Sequence, residues 1–331
     1  MSSLHSDSDA HGEIQAALSS GRLHLARQLA HAWLARWFQE LPFTSDRNLL
    51  RRPLLWSGIA DVVERTSDHH LIEKLWQALD QLPPPAPVAH SLPLLGVPIL
   101  NRLDLLQQLL ESLDHPVAAL AIVDNSNDPE MAAQLQALSQ LGHPLIERIE
   151  IARPFRNLGV AASWNLILTS FPEATVTLLA NNDVRFAPGV IASALQRLDP
   201  GRPQFLPLLP EPNGFSAFLI SALCWDRIGL FDAGFHPAYC EDLDYRDRLR
   251  AVPEVDWLSA DELQASMAAL NAEHSATINS DPWLMEQNRA SFALNRLWYL
   301  SQRRIRQDPR GGWRRLWLSQ WDPPSRQDAS A

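Results

Sequence analysis

The sequence predicts an α/β protein in which a mostly parallel sheet is flanked by helices, with an N-terminal helical extension. Two observations support this fold class. From about residue 97 onward, apolar runs typical of buried strands alternate with amphipathic segments of helix length. Before that region the apolar spacing is only helical, and a proline-rich stretch at residues 83–96 separates the two patterns. We therefore expect a linker at 83–96 between two domains.

Composition excludes several classes of protein. The chain has 331 residues and a formal net charge of -10, which is unlike the basic surface of a general nucleic-acid-binding protein, so no nucleic-acid partner is expected. Two cysteines, Cys224 and Cys240, are too few for a zinc cluster or a disulfide framework and favour a reducing compartment. There is no run of 18 apolar residues, and the first residues lack a secretory pattern. The expected location is cytoplasmic.

The N-terminal part is predicted to be helical. Residues 1–12 are polar and are expected to form a disordered tail, and residues 13–82 are expected to form a helical domain. Its apolar residues recur at spacings of three to five, which gives a broad apolar face. The simplest interpretation is a small bundle, and a site for a partner protein is the alternative. A second tail is expected at residues 322–331.

The region from residue 97 to 321 shows alternating strands and helices. The run at 117–123 is continuously apolar, as in a strand that is buried on both faces of a parallel sheet. Further strands are expected at 96–100, around 146–151 and at 175–180, and helices at 103–113, 131–141, 159–169 and 188–198. Ligands bind such sheets at the carboxyl ends of the strands.

Polar clusters follow three of the apolar segments. The strand at 117–123 leads into Asp124 and Asn125, and the strand at 175–180 leads into Asn182 and Asp183. The apolar segment FSAFLISAL is followed by the acidic stretch CEDLDYRDR. Asn and Asp are common in turns, so a single cluster means little. Three clusters at one predicted sheet edge indicate a ligand site.

Ordered motifs carry a family resemblance. The segments VPILNRLDLLQQLLESL, IVDNSND, RNLGVAASWN, LLANNDV and FHPAYCEDLDYRDRL occur in this order, and EHSATINSD and LNRLWYLSQRRIRQDPRGGW follow them. From about residue 98 to 313 the chain resembles family 2 glycosyltransferases, which have the GT-A (Rossmann-like) fold, and in particular the bacterial rhamnosyltransferase-like branch. The N-terminal 80 residues lie outside the resemblance.

The resemblance implies an activity. Such an enzyme moves a sugar, with inversion, from a UDP-, dTDP- or GDP-linked donor to a hydroxyl of a glycan or lipid-linked acceptor. The expected context is cell-surface polysaccharide or glycoconjugate synthesis. A divalent metal, Mn²⁺ or Mg²⁺, neutralises the charge of the diphosphate. By resemblance the metal ligands are Asp183 and His274. The alternatives are a turn without ligand at Asp183 and a surface role for His274.

The donor site is expected along the strand ends. By resemblance, Asp124 accepts a hydrogen bond from the nucleobase, and the backbone near Pro98 and Asn101 forms the other side of the slot. The aromatic residue that often stacks there is absent. Gly159 begins a predicted helix, where an anion is favoured; an ordinary helix cap is the alternative. The expected donor-binding residues are Pro98, Asn101, Asp124, Asn125, Arg156, Asn157, Gly159, Asn165 and Asn182, with Arg153 as a further candidate.

The catalytic candidate is Asp242. Inverting transfer needs a carboxylate that takes the proton of the acceptor hydroxyl, and the resemblance places this role on Asp242. Neighbouring residues on the acceptor side are Glu241, Asp244, Tyr239 and Trp225, although Trp225 fits a core position equally well. Asp244 with Arg248, and Asp242 with Arg246, have the spacing of helical ion pairs.

Two questions stay open at this level. The C-terminal stretch RRIRQDPRGGWRRLWLSQW combines Arg and Trp, which suits peripheral contact with an anionic membrane at its inner face, or a helix that packs its Trp residues on the domain. The alternative functions are a sugar nucleotidyltransferase and a degenerate GT-A domain that serves as a binding module. The first strand lacks the glycine-rich loop of nucleotidyltransferases.

Overall fold

A computed structural model describes residues 7–40, 53–79, 91–271 and 282–304. The chain divides into two compact units, Met1–Pro83 and Pro84–Ala331. Within the described residues, no helix is both long and apolar enough to cross a membrane.

Among its described residues, the first unit has four helices around one apolar core. They are α1 (Asp7–Ser19), α2 (Leu23–Glu40), α3 (Pro53–Thr66) and α4 (His69–Leu79). Residues 7–12, expected in a disordered tail, instead form the first turns of α1. Their packing explains the difference, because Trp33 Nε1 on α2 donates to Asp7 Oδ1 at 3.2 Å. Asp68, buried before α4, pairs with Arg27 at 2.8 Å.

The second unit is built on a seven-stranded sheet. Its strands are β1 (Leu94–Ile99), β2 (Val117–Asp124), β3 (Ile146–Ala152), β4 (Val176–Ala180), β5 (Gln204–Pro207), β6 (Ala217–Ser221) and β7 (Asp256–Trp257). Their spatial order is β3-β2-β1-β4-β6-β5-β7. Only β6 pairs antiparallel with its neighbours. The predicted α/β class with a mostly parallel sheet is confirmed.

The helices of this unit connect and cover the strands. They are α5 (Leu103–Glu111), α6 (Pro129–Leu141), α7 (Gly159–Ser170), α8 (Val190–Arg197), α9 (Ala222–Ile228), α10 (Glu241–Ala251), α11 (Asp261–Leu270) and α12 (Pro282–Arg304). The first strand begins at Leu94, inside the stretch expected as linker, because Leu94 and Leu95 are fully buried and pair with β4.

Two apolar cores occupy the opposite faces of the sheet. On one face, Trp164 and Ile167 of α7 belong to the same buried cluster as Phe218 of β6. Gly96 of β1 allows α7 to approach closely, since a Cβ at Gly96 would lie 2.6 Å from Ile167 Cγ2. This contact fixes the helix on the sheet and so determines where its first residue, Gly159, stands at the sheet edge.

Candidate active site

The carboxyl ends of β1, β2 and β4 lie side by side. Ile99 pairs with Asp124 as the last residues of β1 and β2. Beyond them, Asn182, buried in the turn after β4, donates from Nδ2 to the carbonyl oxygen of Asn101 at 3.2 Å. The predicted polar clusters after β2 and β4 therefore stand at one edge, as expected for parallel strands. Pro98 is a buried residue of β1.

Asp124 is a buried carboxylate that faces an arginine. Its side chain is only 1% exposed, and its Oδ1 accepts hydrogen bonds from the backbone N–H and the hydroxyl of Ser126. Arg153 Nε lies 3.1 Å from Oδ2, in an ion pair without hydrogen-bond geometry. Oδ2 is thus the carboxylate atom that still has acceptor capacity for an N–H group.

Asn125 connects the end of β2 to the start of α7. Its Oδ1 accepts the backbone N–H of Leu158 at 2.8 Å, and its Nδ2 donates to Ser163 Oγ at 2.9 Å. The side chain is buried and already bonded at both ends. These bonds hold the loop before α7 in position, and the expected donor-binding role of Asn125 is still a prediction.

The start of α7 is occupied by protein contacts. The backbone N–H of Gly159 donates to Asn157 Oδ1, and that of Val160 donates to the carbonyl of Pro237 at 2.7 Å. Together with the N–H of Leu158, these amides are already satisfied. These three N–H groups at the helix start are used within the protein, and the expectation that it binds an anion stays a prediction. Gly159 is required by its φ of +77° and by Pro237.

Asn165 also has a structural partner. Its Nδ2 donates to the carbonyl of Phe231 at 2.8 Å, and its Oδ1 accepts the N–H of the same residue at 2.9 Å. The amide thus clamps the segment before α10 onto α7. Phe231 in turn stacks on Tyr245 of α10, with ring centroids 3.9 Å apart. Asn165 therefore helps to position α10, and its expected contact with the donor remains a prediction.

The loop that leads into α10 is held on both sides. The buried ring of His236 makes a 3.1 Å contact between Nε2 and the carbonyl of Asn157. From α12, Asn295 Nδ2 donates to the carbonyl of Ala238 at 2.7 Å. The loop ends with Tyr239 and Cys240, both at positive φ. Left-handed residues without glycine are costly and cluster at functional sites.

Asp242 lies in the first turn of α10, partly buried. Burial raises the pKa of its carboxyl group, and nearby Glu211 raises it as well, whereas the Leu243 backbone N–H and the Arg246 charge lower it. Arg246 Nη1 itself lies 2.9 Å from Glu211 Oε2. The predicted i,i+4 partner of Asp242 thus forms its ion pair with Glu211.

Glu241 is the more deeply buried of the two acids. It is 6% exposed, and its Oε2 has no hydrogen-bond partner. Burial raises its pKa well above the ordinary value, and the charge of Asp242 adds to this effect. Burial also raises the pKa of the adjacent Cys240 thiol to about 12. A thiol whose pKa is raised in this way is protonated at neutral pH.

Of the remaining acceptor-side candidates, Asp244 forms an ion pair, whereas Tyr239 and Trp225 make packing contacts. Asp244 forms the predicted pair with Arg248, whose Nε and Nη2 both lie 2.9 Å from its Oδ2. Tyr239 packs edge-on against Phe292 of α12 at 5.6 Å between ring centroids. Trp225 of α9 packs against the apolar cluster that contains Tyr245, which is the core position that the sequence left open.

Of the two predicted metal ligands, the structure describes only Asp183. Asp183 is partly buried in the turn after β4, whereas His274 lies outside the described residues. Among the residues described, no three His, Cys, Asp or Glu side chains gather where they could hold a metal ion. One or two carboxylates suffice when substrate phosphates complete the coordination of Mg²⁺. Asp183 fits that kind of site and does not fit an all-protein cage.

Sequence reasoning missed two exposed residues at this edge. Glu211 precedes the 3₁₀ turn Gly214–Ser216 and reaches Arg246 on α10. Phe155, in the loop after β3, has a fully exposed side chain. It lies two residues from Arg153, the ion-pair partner of Asp124, and one residue from Arg156, which is also exposed. The only available signal for Phe155 was an aromatic residue between two arginines.

No protein-family model and no curated protein sequence matches this chain. Among solved structures, the mannosyltransferase PcManGT from Pyrobaculum calidifontis, in complex with GDP-Man and Mn²⁺, has a TM-score of 0.41 at 15% identity over 60% of this chain. GalNAc-T7 with UDP, GalNAc and Mn²⁺ has a TM-score of 0.43 at 11% identity over 52%.

A third similar structure is S. aureus TarS, residues 1-349, with a TM-score of 0.40 at 14% identity over 61% of this chain and 70% of that one. The matches span 65% of the mannosyltransferase and 43% of GalNAc-T7, less than two thirds of either chain. At these identities and TM-scores the similarities do not assign an activity, which has to be argued from the site.

Proposed function

We propose that the second unit is a GT-A glycosyltransferase that moves a sugar, with inversion, from a nucleotide-diphosphate-sugar to a hydroxyl acceptor. The observation that carries the proposal is Asp242, a carboxylate in the first turn of α10 whose pKa is raised by burial. A raised pKa makes the ionised group a stronger base for the acceptor proton. The ordered family motifs at Asp124, Asp183 and Asp242 support the same assignment.

The donor is proposed to bind along the ends of β1, β2 and β4. Asp124 Oδ2 accepts an N–H of the nucleobase, and the exposed ring of Phe155 stacks on the base in place of the missing aromatic after β1. Arg156 is exposed in the same loop and suits the diphosphate. Asp183, with His274 as a second candidate, would hold Mn²⁺ or Mg²⁺, which neutralises the charge of the leaving diphosphate.

Donor binding and turnover test the proposal. The full chain is screened for thermal stabilisation by UDP-glucose, dTDP-rhamnose and GDP-mannose, with and without Mn²⁺, since a ligand that binds the folded state raises its melting temperature. The best donor is then used for turnover. Release of a nucleoside diphosphate supports glycosyl transfer, whereas release of pyrophosphate from a nucleotide and a sugar phosphate indicates a nucleotidyltransferase. Donor binding without any turnover indicates a binding module.

The variant Asp242→Asn separates chemistry from binding. It is expected to keep the thermal shift with donor and to lose at least about 10²-fold in turnover, as for loss of a general base. Asp261→Asn is the matched control, because it removes a first-turn carboxylate from another helix of the same unit, α11. Unchanged turnover in Asp242→Asn would falsify the catalytic assignment.

A further inference from the structure

The last described helix, α12, exposes three large apolar side chains, those of Phe292, Leu297 and Leu300. Its packed side carries polar residues, Ser291 and Asn295, each 3% exposed, together with the indole of Trp298, whose Nε1 is buried. The hydroxyl of Tyr299 donates to Asp247 Oδ2 at 2.6 Å. A surface helix of a globular domain normally turns its large apolar residues toward the core, so the exposed ones on α12 are unusual.

The exposed apolar residues lie on one side of the helix, which we call the apolar arc. Leu297 is 63% exposed, and Leu300 and Phe292 are each 46% exposed. With a turn of 3.6 residues, positions 290, 293, 297 and 300 lie together, whereas position 292 is separated from them by positions 289 and 296. Exposed Ala290 and Ala293 leave the leucines accessible. Exposed apolar surface of this kind marks an interaction site.

Charge on and after this helix identifies the partner. Exposed Arg289 and Arg296 lie within the apolar arc, between Phe292 and Leu300. Residues 282–321 hold eight arginines and two acidic residues, a net charge of +6 in a chain whose total is -10. The same segment contains five tryptophans, Trp283, Trp298, Trp313, Trp317 and Trp321. Arginine with leucine and tryptophan is the composition of helices that lie in the interface of an anionic bilayer.

We propose that the exposed face of α12 docks this protein on a membrane surface of anionic phospholipid. The apolar arc enters the boundary between headgroups and acyl chains, and the arginines contact lipid phosphates. A second copy of the chain would have to place one strongly basic face on another, which is unfavourable, and the acidic remainder of the surface is repelled by anionic lipid. Charge thus favours the bilayer as the partner and sets the orientation.

Helix α12 also contacts the loop before α10, which is the acceptor side of the site if the proposed function holds. Asn295, on the polar face of α12, holds the loop immediately before Tyr239, Cys240 and Asp242. Phe292, in the exposed arc, touches Tyr239. A docked bilayer would therefore lie beside the acceptor side of the site, where a lipid-linked acceptor presents its hydroxyl.

Vesicle co-sedimentation without any sugar donor tests the docking, so its result is independent of the proposed function. The full chain is mixed with vesicles of phosphatidylcholine alone or with 30% phosphatidylglycerol. We expect binding only to the anionic vesicles and its loss in 1 M NaCl, where the screening length falls to about 3 Å. Equal binding to both vesicles, or none to either, overturns the proposal.

The double variant Leu297→Gln/Leu300→Gln locates the surface. Both side chains are exposed, so folding is expected to persist, with an unchanged melting temperature as the check. Binding to anionic vesicles is expected to fall about tenfold or more, because two leucines lose their apolar burial. Leu23→Gln/Leu141→Gln, which changes two exposed leucines elsewhere, should bind like wild type. Equal binding by both double variants, or a wild-type dimer in light scattering that Leu297→Gln/Leu300→Gln abolishes, contradicts the proposal.

Discussion

Gly159 and Pro237 touch backbone to backbone, and this contact joins the start of α7 to the loop that leads into α10 and the proposed catalytic base Asp242. A Cβ at Gly159 would lie 2.5 Å from the carbonyl oxygen of Pro237, and the N–H of Val160 donates to that same oxygen at 2.7 Å. The loop then continues through Tyr239 and Cys240 into Asp242. The close contact with Pro237 thus requires a glycine at position 159 whether or not the donor binds there.

The variant Gly159→Ala tests this contact. The positive φ alone costs about 1–2 kcal/mol in unfolding free energy for a residue with a Cβ, and the overlap with Pro237 adds about 1–3 kcal/mol. Gly189→Ala is the control, because Gly189 has a φ of +73° and nothing within 4 Å of the added Cβ. Urea unfolding should show the larger loss for Gly159→Ala, together with reduced donor turnover. Equal losses in the two variants would show that the contact carries no weight.

The pH dependence of turnover reports on Asp242. Because burial raises its pKa, the acidic limb of the rate profile should lie above the ordinary Asp value of 3.8. Arg246→Gln removes a charge that lowers this pKa, so the limb should move to higher pH. Glu211→Gln removes a charge that raises it and releases Arg246, so the limb should move to lower pH. Shifts of the same sign in both variants would contradict the assignment.

Glu241 makes stability depend on pH. Its folded-state pKa is raised by burial, so the folded and unfolded states bind protons equally well only below the unfolded value of about 4.5. As the pH rises from there, the unfolded state ionises first and the wild type loses stability. Glu241→Gln lacks this penalty and keeps the hydrogen-bonding shape of the neutral acid. Its melting temperature relative to wild type should therefore rise between pH 4.5 and pH 8.

For domains of this length, each kcal/mol of unfolding free energy shifts the melting temperature by about 2–4 °C, which sets the scale of the expected rise. Glu262→Gln in the first turn of α11 is the control, because that side chain is exposed. It should show no pH-dependent gain. If the difference in melting temperature between Glu241→Gln and wild type stays constant from pH 4.5 to pH 8, folding does not raise the pKa of Glu241.

The clamp between Asn165 and Phe231 is expected to separate positioning from binding. Asn165→Ala leaves the N–H and C=O of Phe231 without their partner, which costs about 1–3 kcal/mol for each buried group. Tyr245 then loses a fixed stacking partner, and α10 is less well held. Turnover should fall while the thermal shift with donor is kept. Gln134→Ala, which removes an exposed helical amide, should leave both unchanged. Loss of donor binding in Asn165→Ala would support the donor-binding role.

The sequence predicts the sheet and the edge at which β2 and β4 end, because strand periodicity and the polar residues after these strands are local features. This rule fails for the third cluster, because the segment before it forms β6, which runs antiparallel and ends at the opposite edge. The sequence predicts amide roles poorly. Asn125 and Asn165 have the residue type that binds ligands, but their partners lie far away in the sequence. Those of Asn125 are the N–H of Leu158 and the hydroxyl of Ser163, 33 and 38 positions away, and that of Asn165 is the backbone of Phe231, 66 positions away. Glu211 was missed for the same reason, since its ion pair with Arg246 exists only after folding. Long-range contacts decide whether a polar side chain remains available for a ligand.

Phe155 is expected to stack on the nucleobase of the donor. Its side chain is fully exposed, so Phe155→Ala should leave the melting temperature unchanged. Stacking of one base on an aromatic ring is worth about 1–3 kcal/mol, so the nucleotide Kd should weaken about 5- to 150-fold. Phe155→Trp should retain the affinity, because it keeps an aromatic face. The measurement is calorimetric titration with UDP and with GDP in the presence of Mn²⁺. Equal affinities in wild type and Phe155→Ala would leave Asp124 as the only base contact proposed for this edge.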